Sequence, residues 1–548
     1  MNNIVKITLW EKTVGYIKWD DSNWKTTGSI FQFDKEFINK GLDISPILMP
    51  ISDPKVRNCL PIHTYNPKGQ FRGLPPVFAA SLPDHWGTSI FNAWAKEHLK
   101  DNKTNPVDML SFIGTRGMGA LEYEPSIIKN DKEAFDVDVN KLYDFAKQIL
   151  AEKSKPEFKA DKELLWQDLI KLGTSPGGKR PKALIAINKQ TNTVKSGQAM
   201  LPPGYEHYIL KYDNETEQFP YAKVEYAYYK LCTNCDIKMM ETTLRQFEHA
   251  THFITKRFDR DSNEKIHMQS LRSITGGCDS YEQALNVTQN LCRNYSNTEQ
   301  LFRMMVFNIL SGNIDDHDNN FSFLMNKQGV WTLAPAYDII YSIDPSQSEF
   351  QKGQFMSVNG KTSEISIKDI LQVAQRFSVK KPERIIENTL DNMSTLPELL
   401  KDLEISNPTI KMITEELNKK YQFLGKHFTI SFDADNDPAV PQTITEFERK
   451  AVLAIQRKHK GQNIFFHPVK RILCKGKHSG TIFKVTVDDE KYTYVTDNDT
   501  KDISCAKGHF NQGQFQNART WKTIDGKPAS YTPTRVLSID NKKKLFQI

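Results

Sequence analysis

The chain has no run of 18 consecutive apolar residues, so its sequence predicts no membrane-spanning helix. Its first residues lack the basic stretch, apolar stretch and small-residue cleavage site of a secretory signal peptide, and we expect none. Cysteine is scarce: the seven residues are an odd number spread along the chain, unlike the dense pairs of a disulfide framework. These absences favour a reduced, cytoplasmic protein with no membrane partner.

Strong compositional bias is lacking as well. The 27 glycines and 26 prolines are ordinary for 548 residues and exclude collagen-like and low-complexity classes. With 39% hydrophobic and 11% aromatic residues, the chain can form a sizeable core. The net charge is only +7, but it is unevenly placed: residues 451–548 carry 18 basic and 8 acidic side chains, a net charge of +10, so the rest carries −3.

One pair of cysteines, Cys232 and Cys235, has the Cys-x-x-Cys spacing of metal and redox sites. The pair follows an apolar segment that we predict to be helical, and no second pair stands at zinc-site spacing. We interpret both residues as buried thiols, with a metal or redox role as the weaker alternative.

The densest group of chemically capable side chains lies in residues 313–320, which contain three Asp, one His and three Asn. A predicted apolar helix precedes the group and a strand-like run follows it, so the turn is anchored at both ends. Asp315 and Asn320 stand five residues apart, and Asp338 follows inside an apolar run. This is the spacing of a kinase catalytic loop, in which an Asp accepts a hydroxyl proton and an Asn and an Asp offer oxygen ligands to Mg²⁺. An exposed acidic turn and a hydrogen-bonded buried Asp are the structural alternatives.

A phosphate-binding segment is expected upstream of that loop. Residues 173–182 combine adjacent glycines with basic side chains and precede a predicted strand, and glycines let backbone N–H groups approach phosphate oxygens. Lys211 ends the next predicted strand, where it can reach the phosphates, and Glu225 on the following helix can pair with it. Residues 253–260 form a predicted strand that ends in charges, at the place of a kinase hinge. The alternatives are an exposed basic turn, an amphipathic edge strand and a helix-surface glutamate.

Taken together, these motifs resemble those of the HipA family, the serine/threonine kinase toxins of bacterial type II toxin–antitoxin modules. The resemblance runs over about the first 430 residues and rests on six segments in the same chain order, residues 73–84, 114–125, 175–182, 256–260, 313–321 and 335–339. It implies an α+β fold that is two-lobed and distantly protein-kinase-like. The N-terminal lobe would be α/β and the C-terminal lobe mainly helical, followed here by a small β-rich extension.

The resemblance also implies roles for single positions. Asp315 matches the catalytic Asp, Asn320 and Asp338 match the metal ligands, and Ser175 matches a serine that such kinases phosphorylate on themselves. Glu225 is the expected partner of Lys211. The positions expected to contact the nucleotide are Gly177, Gly178, Lys179, Arg180, Pro181, Lys182, Lys211, Lys256, Arg257, Phe258, Asp316, His317 and Tyr337. Asp316 adds a second acid beside Asp315, and the five-residue spacing to Asn320 favours Asp315 as the base.

ATP and Mg²⁺ are the implied cofactors. The implied partners are a protein substrate, such as a translation factor, and a separate helix-turn-helix antitoxin of HipB type, through which alone DNA would be contacted. We expect an N-terminal subdomain at residues 1–125, a kinase N-lobe at 126–260 and a helical catalytic C-lobe at 261–430. The extension, residues 431–548, begins with an acidic segment that contains two prolines.

Other functions remain open at the level of sequence. The chain could be a kinase-like binding or scaffold protein that acts with a DNA-binding antitoxin without significant catalysis, or a lipid or small-molecule kinase. The complete set of Lys211, Asp315, Asn320 and Asp338 favours an active kinase, because inactive relatives of kinases usually lose at least one. The basic extension could regulate the kinase or bind nucleic acid, and a solvated basic face of a small β domain is the simpler interpretation.

Overall fold

The structure of the chain is a computed structural model. It describes residues 4–23, 25–83, 85–98, 104–128, 133–141, 182–213, 219–247, 250–346, 353–425, 428–430, 450–451, 454–455, 457–459, 462, 464–466, 470–474, 477–488, 490–497, 503–507, 521–523, 528–529 and 538–540. Its internal contacts divide the chain into two units, Met1–Ile430 and Ser431–Ile548.

The first unit begins with an antiparallel sheet in the strand order β4-β3-β2-β1-β5. Its strands are β1 (Ile4–Leu9), β2 (Lys12–Asp20), β3 (Gly28–Phe33), β4 (Ile62–Tyr65) and β5 (Leu121–Glu124). Alternate side chains of β3 are buried, since successive side chains of a strand point to opposite faces. The buried ring of Phe31 makes edge contacts with the rings of Phe33 and Phe78, with centroids 4.7 and 4.6 Å away.

Helices accompany this sheet. They are α1 (Lys35–Asn39), α2 (Pro54–Arg57), α3 (Pro76–Ala79), α4 (His85–His98) and α5 (Pro106–Ile113). A capping box starts α5, because the Asn105 side chain accepts the N–H of Asp108 and the Asp108 carboxylate accepts the N–H of Asn105. The helix ends at Gly114 with φ +58°, where a Cβ atom would collide with Ser126, so the turn requires glycine.

A second antiparallel sheet has the order β7-β6-β8-β10-β9. Its strands are β6 (Lys182–Asn188), β7 (Thr193–Ser196), β8 (Tyr205–Lys211), β9 (Thr242–Phe247) and β10 (Ala250–Lys256). Helix α6 (Tyr221–Asn234) packs against β9 and β10. Residues of α4 and α5 share a core with β6, β8 and β10. Lys182 lies directly opposite Lys211 in the β6–β8 pair, so both lysines are on the same face.

The remainder of the first unit is mainly helical. Its helices are α7 (Leu271–Thr275), α8 (Tyr281–Cys292), α9 (Tyr295–Ser311), α10 (Ile367–Arg376), α11 (Pro382–Met393), α12 (Leu396–Asp402) and α13 (Asn407–Tyr421). Short strands β11 (Arg260–Asp261) and β12 (Glu264–Lys265) pair with each other, and β13 (His267–Ser270), β14 (Ser322–Met325) and β15 (Trp331–Leu333) form a sheet.

Helix α9 fixes the start of the predicted catalytic loop. It packs against α8, α11 and α13, and its second half is buried. It ends at Gly312 with φ +73°, where a Cβ atom would approach Leu417 to 2.8 Å. Glycine is therefore needed for the chain to turn from the helix into the loop.

The second unit is rich in strands. They are β16 (Ile464–Phe466), β17 (Lys470–Cys474), β18 (Lys477–Val487), β19 (Glu490–Asp497), β20 (Ile503–Lys507), β21 (Trp521–Thr523), β22 (Pro528–Ala529) and β23 (Ser538–Asp540). The sheet order is β22-β21-β20-β19-β18-β17-β23, with β16 paired to β18. A small core forms around Phe483, Val485 and Tyr494.

Most predicted elements are confirmed, including the strand after residue 182, the strand that ends at Lys211, the helix that follows it and the β-rich extension. The sequence patterns of residues 138–154, 162–172 and 445–460 also predict helices. The first two segments lie almost entirely outside the described residues, and so does much of the third. The strand predicted at 253–260 ends at Lys256, and its terminal charges are not an exposed edge, because Arg257 and Asp259 are buried.

Cys232 and Cys235 are both buried, as predicted, and burial raises the pKa of the Cys235 thiol to about 12. Within the described residues, no helix is both long enough and apolar enough to cross a bilayer. The chain is a mixture of helices and sheets, as expected, while the two-lobed arrangement and the bounds of the four domains stay predictions.

Candidate active site

Three charged side chains from different elements meet at the end of β8. The Lys211 ammonium lies 2.5 Å from a carboxylate oxygen of Glu225 on α6, and it also donates a hydrogen bond to Asp338. Lys211 and Glu225 are 14 and 10% exposed, so the pair is largely removed from water. The helix-surface alternative for Glu225 is therefore wrong. Asp338 stands 127 residues from Lys211 in the chain, so tertiary folding alone brings them together.

Burial and charge act against each other in this cluster. Burial alone would lower the pKa of Lys211 and raise that of Asp338. The two carboxylates instead hold the Lys211 pKa above its ordinary value, and the charges of Lys211 and Lys182 hold the Asp338 pKa well below its own. For Glu225, burial prevails and raises the pKa. The site thus keeps a charged lysine beside a charged aspartate at neutral pH.

The loop after α9 is held by hydrogen bonds that its backbone groups make with side chains. The Ser342 hydroxyl accepts the N–H groups of Ile314 (2.8 Å) and Asp315 (3.1 Å). The Asn320 side-chain N–H₂ donates to the backbone carbonyl of Asp315 at 2.7 Å, which closes the turn. The Asp315 carboxylate itself is 67% exposed, so it is accessible to an incoming group.

The neighbouring carboxylate, Asp316, has a different environment. It is fully buried and accepts hydrogen bonds from the Tyr281 hydroxyl (2.6 Å), the Gln354 side chain (3.0 Å) and the backbone N–H groups of Phe355 (2.6 Å) and Met356 (3.4 Å). Burial raises its pKa despite these donors. A nucleotide contact by Asp316 would require this carboxylate to leave its buried partners, whereas Asp315 faces solvent.

The segments that carry Asn320 and Asp338 are tied together. The Tyr337 hydroxyl donates to the carbonyl of Asn319 at 2.7 Å, which joins the residues next to each predicted metal ligand. Asp338 adopts φ +53°, a left-handed conformation that an Asp tolerates better than most residues. His317 Nε2 lies 3.7 Å from the Asp315 carboxylate.

The three predicted hinge residues, Lys256, Arg257 and Phe258, have different contacts. The Phe258 ring contacts the Tyr337 ring, with centroids 5.5 Å apart, so the hinge adjoins the Asp338 segment. Lys256 pairs with Glu206, and that contact lowers the Glu206 pKa to about 2. Arg257 is buried, and its guanidinium donates two hydrogen bonds to the Asp259 carboxylate, at 2.9 and 2.8 Å.

The predicted phosphate loop lies mostly outside the described residues. Of its members, Ser175, Gly177, Gly178, Lys179, Arg180 and Pro181 are not described, and Lys182 is. Lys182 is buried at the start of β6, and its charge acts on both Glu225 and Asp338. It therefore belongs to the same electrostatic cluster as Lys211.

Sequence reasoning missed the residues that hold the loop in place. Tyr281, Ser342 and Gln354 lie 27 to 41 residues from the loop positions that they contact. No motif singled them out. The one available signal was the excess of acid in the loop, since a buried Asp requires donors from elsewhere in the fold.

The oxygen donors of the site fit Mg²⁺ better than a transition metal. Among the described residues, no group of three or more His, Cys, Asp and Glu side chains is arranged to hold a metal. Mg²⁺ is commonly held by one or two protein oxygens together with phosphate oxygens, and the Asp338 carboxylate and Asn320 amide supply that type of donor. A nucleotide would complete such a site.

Comparison with sequence families assigns the chain. A model described as the HipA N-terminal domain matches residues 5–124, and one described as the HipA-like C-terminal domain matches residues 174–398. Together the two matches span more than half of the chain. The chain belongs to the HipA family. In this HipA-family chain, the Lys211 cluster and the Asp315 loop both lie within the C-terminal match, and the second unit lies beyond it.

A curated relative is a Haemophilus influenzae protein that carries the provisional name of a kinase. It is 28% identical over 194 residues, which make up 32% of this HipA-family chain and 54% of the relative. The chain thus matches about half the length of that relative.

Two solved structures are similar to this HipA-family chain. One chain of the Shewanella oneidensis MR-1 toxin–antitoxin complex of HipA, HipB and operator DNA matches with a TM-score of 0.51 and 15% identity, over 77% of this chain and 96% of that chain. At this identity the likeness shows the fold alone. The Helicobacter pylori proinflammatory kinase CtkA matches with a TM-score of 0.29 and 15% identity, over 39% of this chain and 87% of that chain, and this weaker likeness carries no argument.

Proposed function

We propose that this chain is a serine/threonine protein kinase that transfers the γ-phosphoryl group of ATP to a hydroxyl of a protein, with Mg²⁺ as the metal ion. One observation carries the proposal: Lys211, Glu225 and Asp338 meet in a largely buried cluster. A strand lysine held by a helix glutamate, beside an aspartate that follows a β-hairpin, is the arrangement that phosphoryl transfer by kinases requires.

Asp315 is the proposed general base. Its exposed carboxylate can accept the acceptor's proton, while Ser342 and Asn320 hold its backbone in place. In the transfer, the acceptor oxygen forms a bond to the γ-phosphorus, and the bond from that phosphorus to the β,γ-bridging oxygen breaks. The hydroxyl proton passes to Asp315, and ADP leaves with the bridging oxygen.

Lys211 is the proposed phosphate-binding lysine. Its ammonium is kept charged by two carboxylates, so it can bind phosphate oxygens at neutral pH. Glu225 would keep the ammonium oriented when Asp338 turns to the metal ion. Asn320 and Asp338 are the side chains that would hold Mg²⁺, which supplies neutralisation of the charge on the phosphate oxygens.

The toxin role and the partners rest on the family and the fold. The solved Shewanella oneidensis chain stands in a complex with HipB and operator DNA. For this chain we propose a HipB-type antitoxin as partner, with DNA contacted through it, and a protein substrate such as a translation factor. We also propose that Ser175, outside the described residues, is phosphorylated by the kinase itself. A phosphate dianion there would compete with ATP for the phosphate-binding amides.

Label transfer from ATP radiolabelled at its γ-phosphate tests the proposed function. With Mg²⁺ and a mixture of serine and threonine peptides, we expect Asp315→Asn and Asp338→Asn to lower transfer by about a thousandfold. Asp402→Asn, an exposed acid at the end of α12, is the matched control and should transfer like the wild type. Ser175→Ala should lose self-labelling while peptide labelling continues.

The outcomes separate the functional alternatives. If both site variants transfer label as well as the control, Asp315 and Asp338 do not have the proposed roles. If the wild type binds ATP and transfers label neither to itself nor to peptides, the binding-protein alternative replaces the kinase.

A further inference from the structure

One exposed aromatic side chain lies at the edge of the candidate active site. Phe355 is 51% exposed, although it lies between the buried residues Gln354 and Met356. A single exposed apolar residue is ordinary on a protein surface, so exposure alone means little. Its position relative to the catalytic loop gives it significance.

The backbone at Phe355 is fixed to that loop. Its N–H donates to the Asp316 carboxylate at 2.6 Å and lies 3.2 Å from the carbonyl of Ile314. The next N–H, of Met356, donates to the same Asp316 oxygen at 3.4 Å. Because Asp316 is itself fully buried, Phe355 is held in a defined place and is not part of a freely moving loop.

The ring that this anchored backbone carries contacts a neighbour of the proposed base. It makes an edge contact with the His317 ring, with centroids 5.6 Å apart, and His317 Nε2 lies 3.7 Å from the Asp315 carboxylate. The Phe355 ring is therefore within roughly 11 Å of that carboxylate, the span of about three residues of extended chain.

The loop beside the ring is otherwise polar. Residues 313–320 contain Ile314 as their one apolar side chain, and Ile314 is less exposed than Phe355. A peptide whose hydroxyl reaches Asp315 would thus meet an accessible apolar surface at the Phe355 ring. Packing an apolar side chain against that ring would remove both from water.

We propose that Phe355 is a specificity-determining residue of the acceptor site, so that this kinase selects protein segments with an apolar side chain within three residues of the phosphorylated Ser or Thr. This inference rests on the proposed kinase function. It adds a substrate class: acceptors flanked by apolar residues are favoured over acceptors flanked by polar ones.

The test uses the full chain and a set of serine peptides. The peptides come in matched pairs. In one member, one of the three positions before or after the serine is Leu, and in the other member the same position is Asn, which is of similar size. We expect the wild type to prefer Leu at one of these positions by about tenfold in kcat/KM, chiefly through KM. Phe355→Ala should reduce this preference to about twofold or less, and Phe355→Leu should retain most of it.

Two further variants make the result specific. Phe423→Ala removes a matched aromatic, 45% exposed in the turn after α13, and should keep the wild-type preference. Phe355→Glu should create a preference for Lys over Asn at the same peptide position. A new preference of this kind cannot arise from partial unfolding.

The failures of the two proposals are distinguishable. If the wild type phosphorylates Leu and Asn peptides equally, or if Phe355→Ala keeps the full preference, the inference about Phe355 is wrong and the kinase function stands. If the wild type transfers phosphate to no peptide and not to itself, the kinase function is wrong.

Discussion

At the scale of single residues, two adjacent carboxylates have opposite environments. Asp315 is exposed, while Asp316 is buried among a tyrosine hydroxyl, a glutamine amide and two backbone N–H groups. Sequence spacing favoured Asp315 as the base, and the geometry adds a structural role for Asp316.

The two acids should therefore respond differently to the same substitution. Asp316→Asn places an N–H₂ group among hydrogen-bond donors, and we expect the free energy of unfolding to fall by roughly 3 kcal/mol. Asp315→Asn should change it by less than about 0.5 kcal/mol, since that side chain is exposed. Denaturant titration measures both values. Equal stability of Asp316→Asn and the wild type would contradict the structural role.

At the scale of elements, a buried ionic group joins the segment after β10 to the turn after α5. The Asp259 carboxylate accepts hydrogen bonds from Arg257, Arg260 and the N–H of Gly119, the last at 2.7 Å. Arg260 also donates to the carbonyls of Gly117 and Gly119 at 3.1 Å. Burial alone would raise the Asp259 pKa, but the two arginines hold it well below its ordinary value. The residues of the predicted hinge thus connect distant parts of the first unit.

Removing the charge at the centre of this group should destabilise the first unit. Asp259→Asn leaves two buried arginines without their carboxylate, and we expect a loss of about 3–5 kcal/mol in the free energy of unfolding. Asp261→Asn, an exposed acid two residues away, is the control and should be nearly neutral. Chemical denaturation monitored by tryptophan fluorescence compares them. Similar losses in both variants would mean that the buried group is not the cause.

At the scale of the whole molecule, several histidines are buried in the neutral form. Burial lowers the pKa of His207 and His252 to about 4 and that of His267 to about 3. Both ring nitrogens of His267 are buried and have no hydrogen-bond partner in the described part of the chain. Above pH 6.5 these histidines are neutral in both the folded and the unfolded chain, and the free energy of unfolding keeps its full value. As the pH falls from 6.5 toward 4, only the unfolded chain takes up these protons, so the free energy of unfolding decreases.

The pH dependence of unfolding tests this behaviour. We expect His267→Phe, which preserves the ring that packs on Trp331, to reduce the loss of stability between pH 6.5 and 4 by roughly 1 kcal/mol per pH unit. The exposed His63 offers a control, and His63→Gln should keep the wild-type slope. An unchanged slope in His267→Phe would contradict the role of the buried ring.

The local elements around the site could be predicted from sequence because local patterns determine them. Short strand-like runs predicted the strand that follows Lys182 and the strand that carries Lys211, and an apolar segment before Gly312 predicted the helix that leads into the catalytic loop. The predicted strand at the hinge was too long, because the charges after Lys256 continue the pattern of a strand edge. Their burial depends on contacts with a turn about 140 residues earlier, which no local pattern contains.

The sequence by itself determined the elements, the Asp315–Asn320 spacing and the family, because each is recorded in neighbouring residues or in the order of motifs. Only the tertiary structure decided which of two adjacent acids is exposed, which residues hold the loop, and that a phenylalanine lies beside the proposed base. These features depend on contacts between side chains that are distant in the chain, such as Asp316 with Tyr281 and Gln354. Their geometry exists only after the backbone has folded.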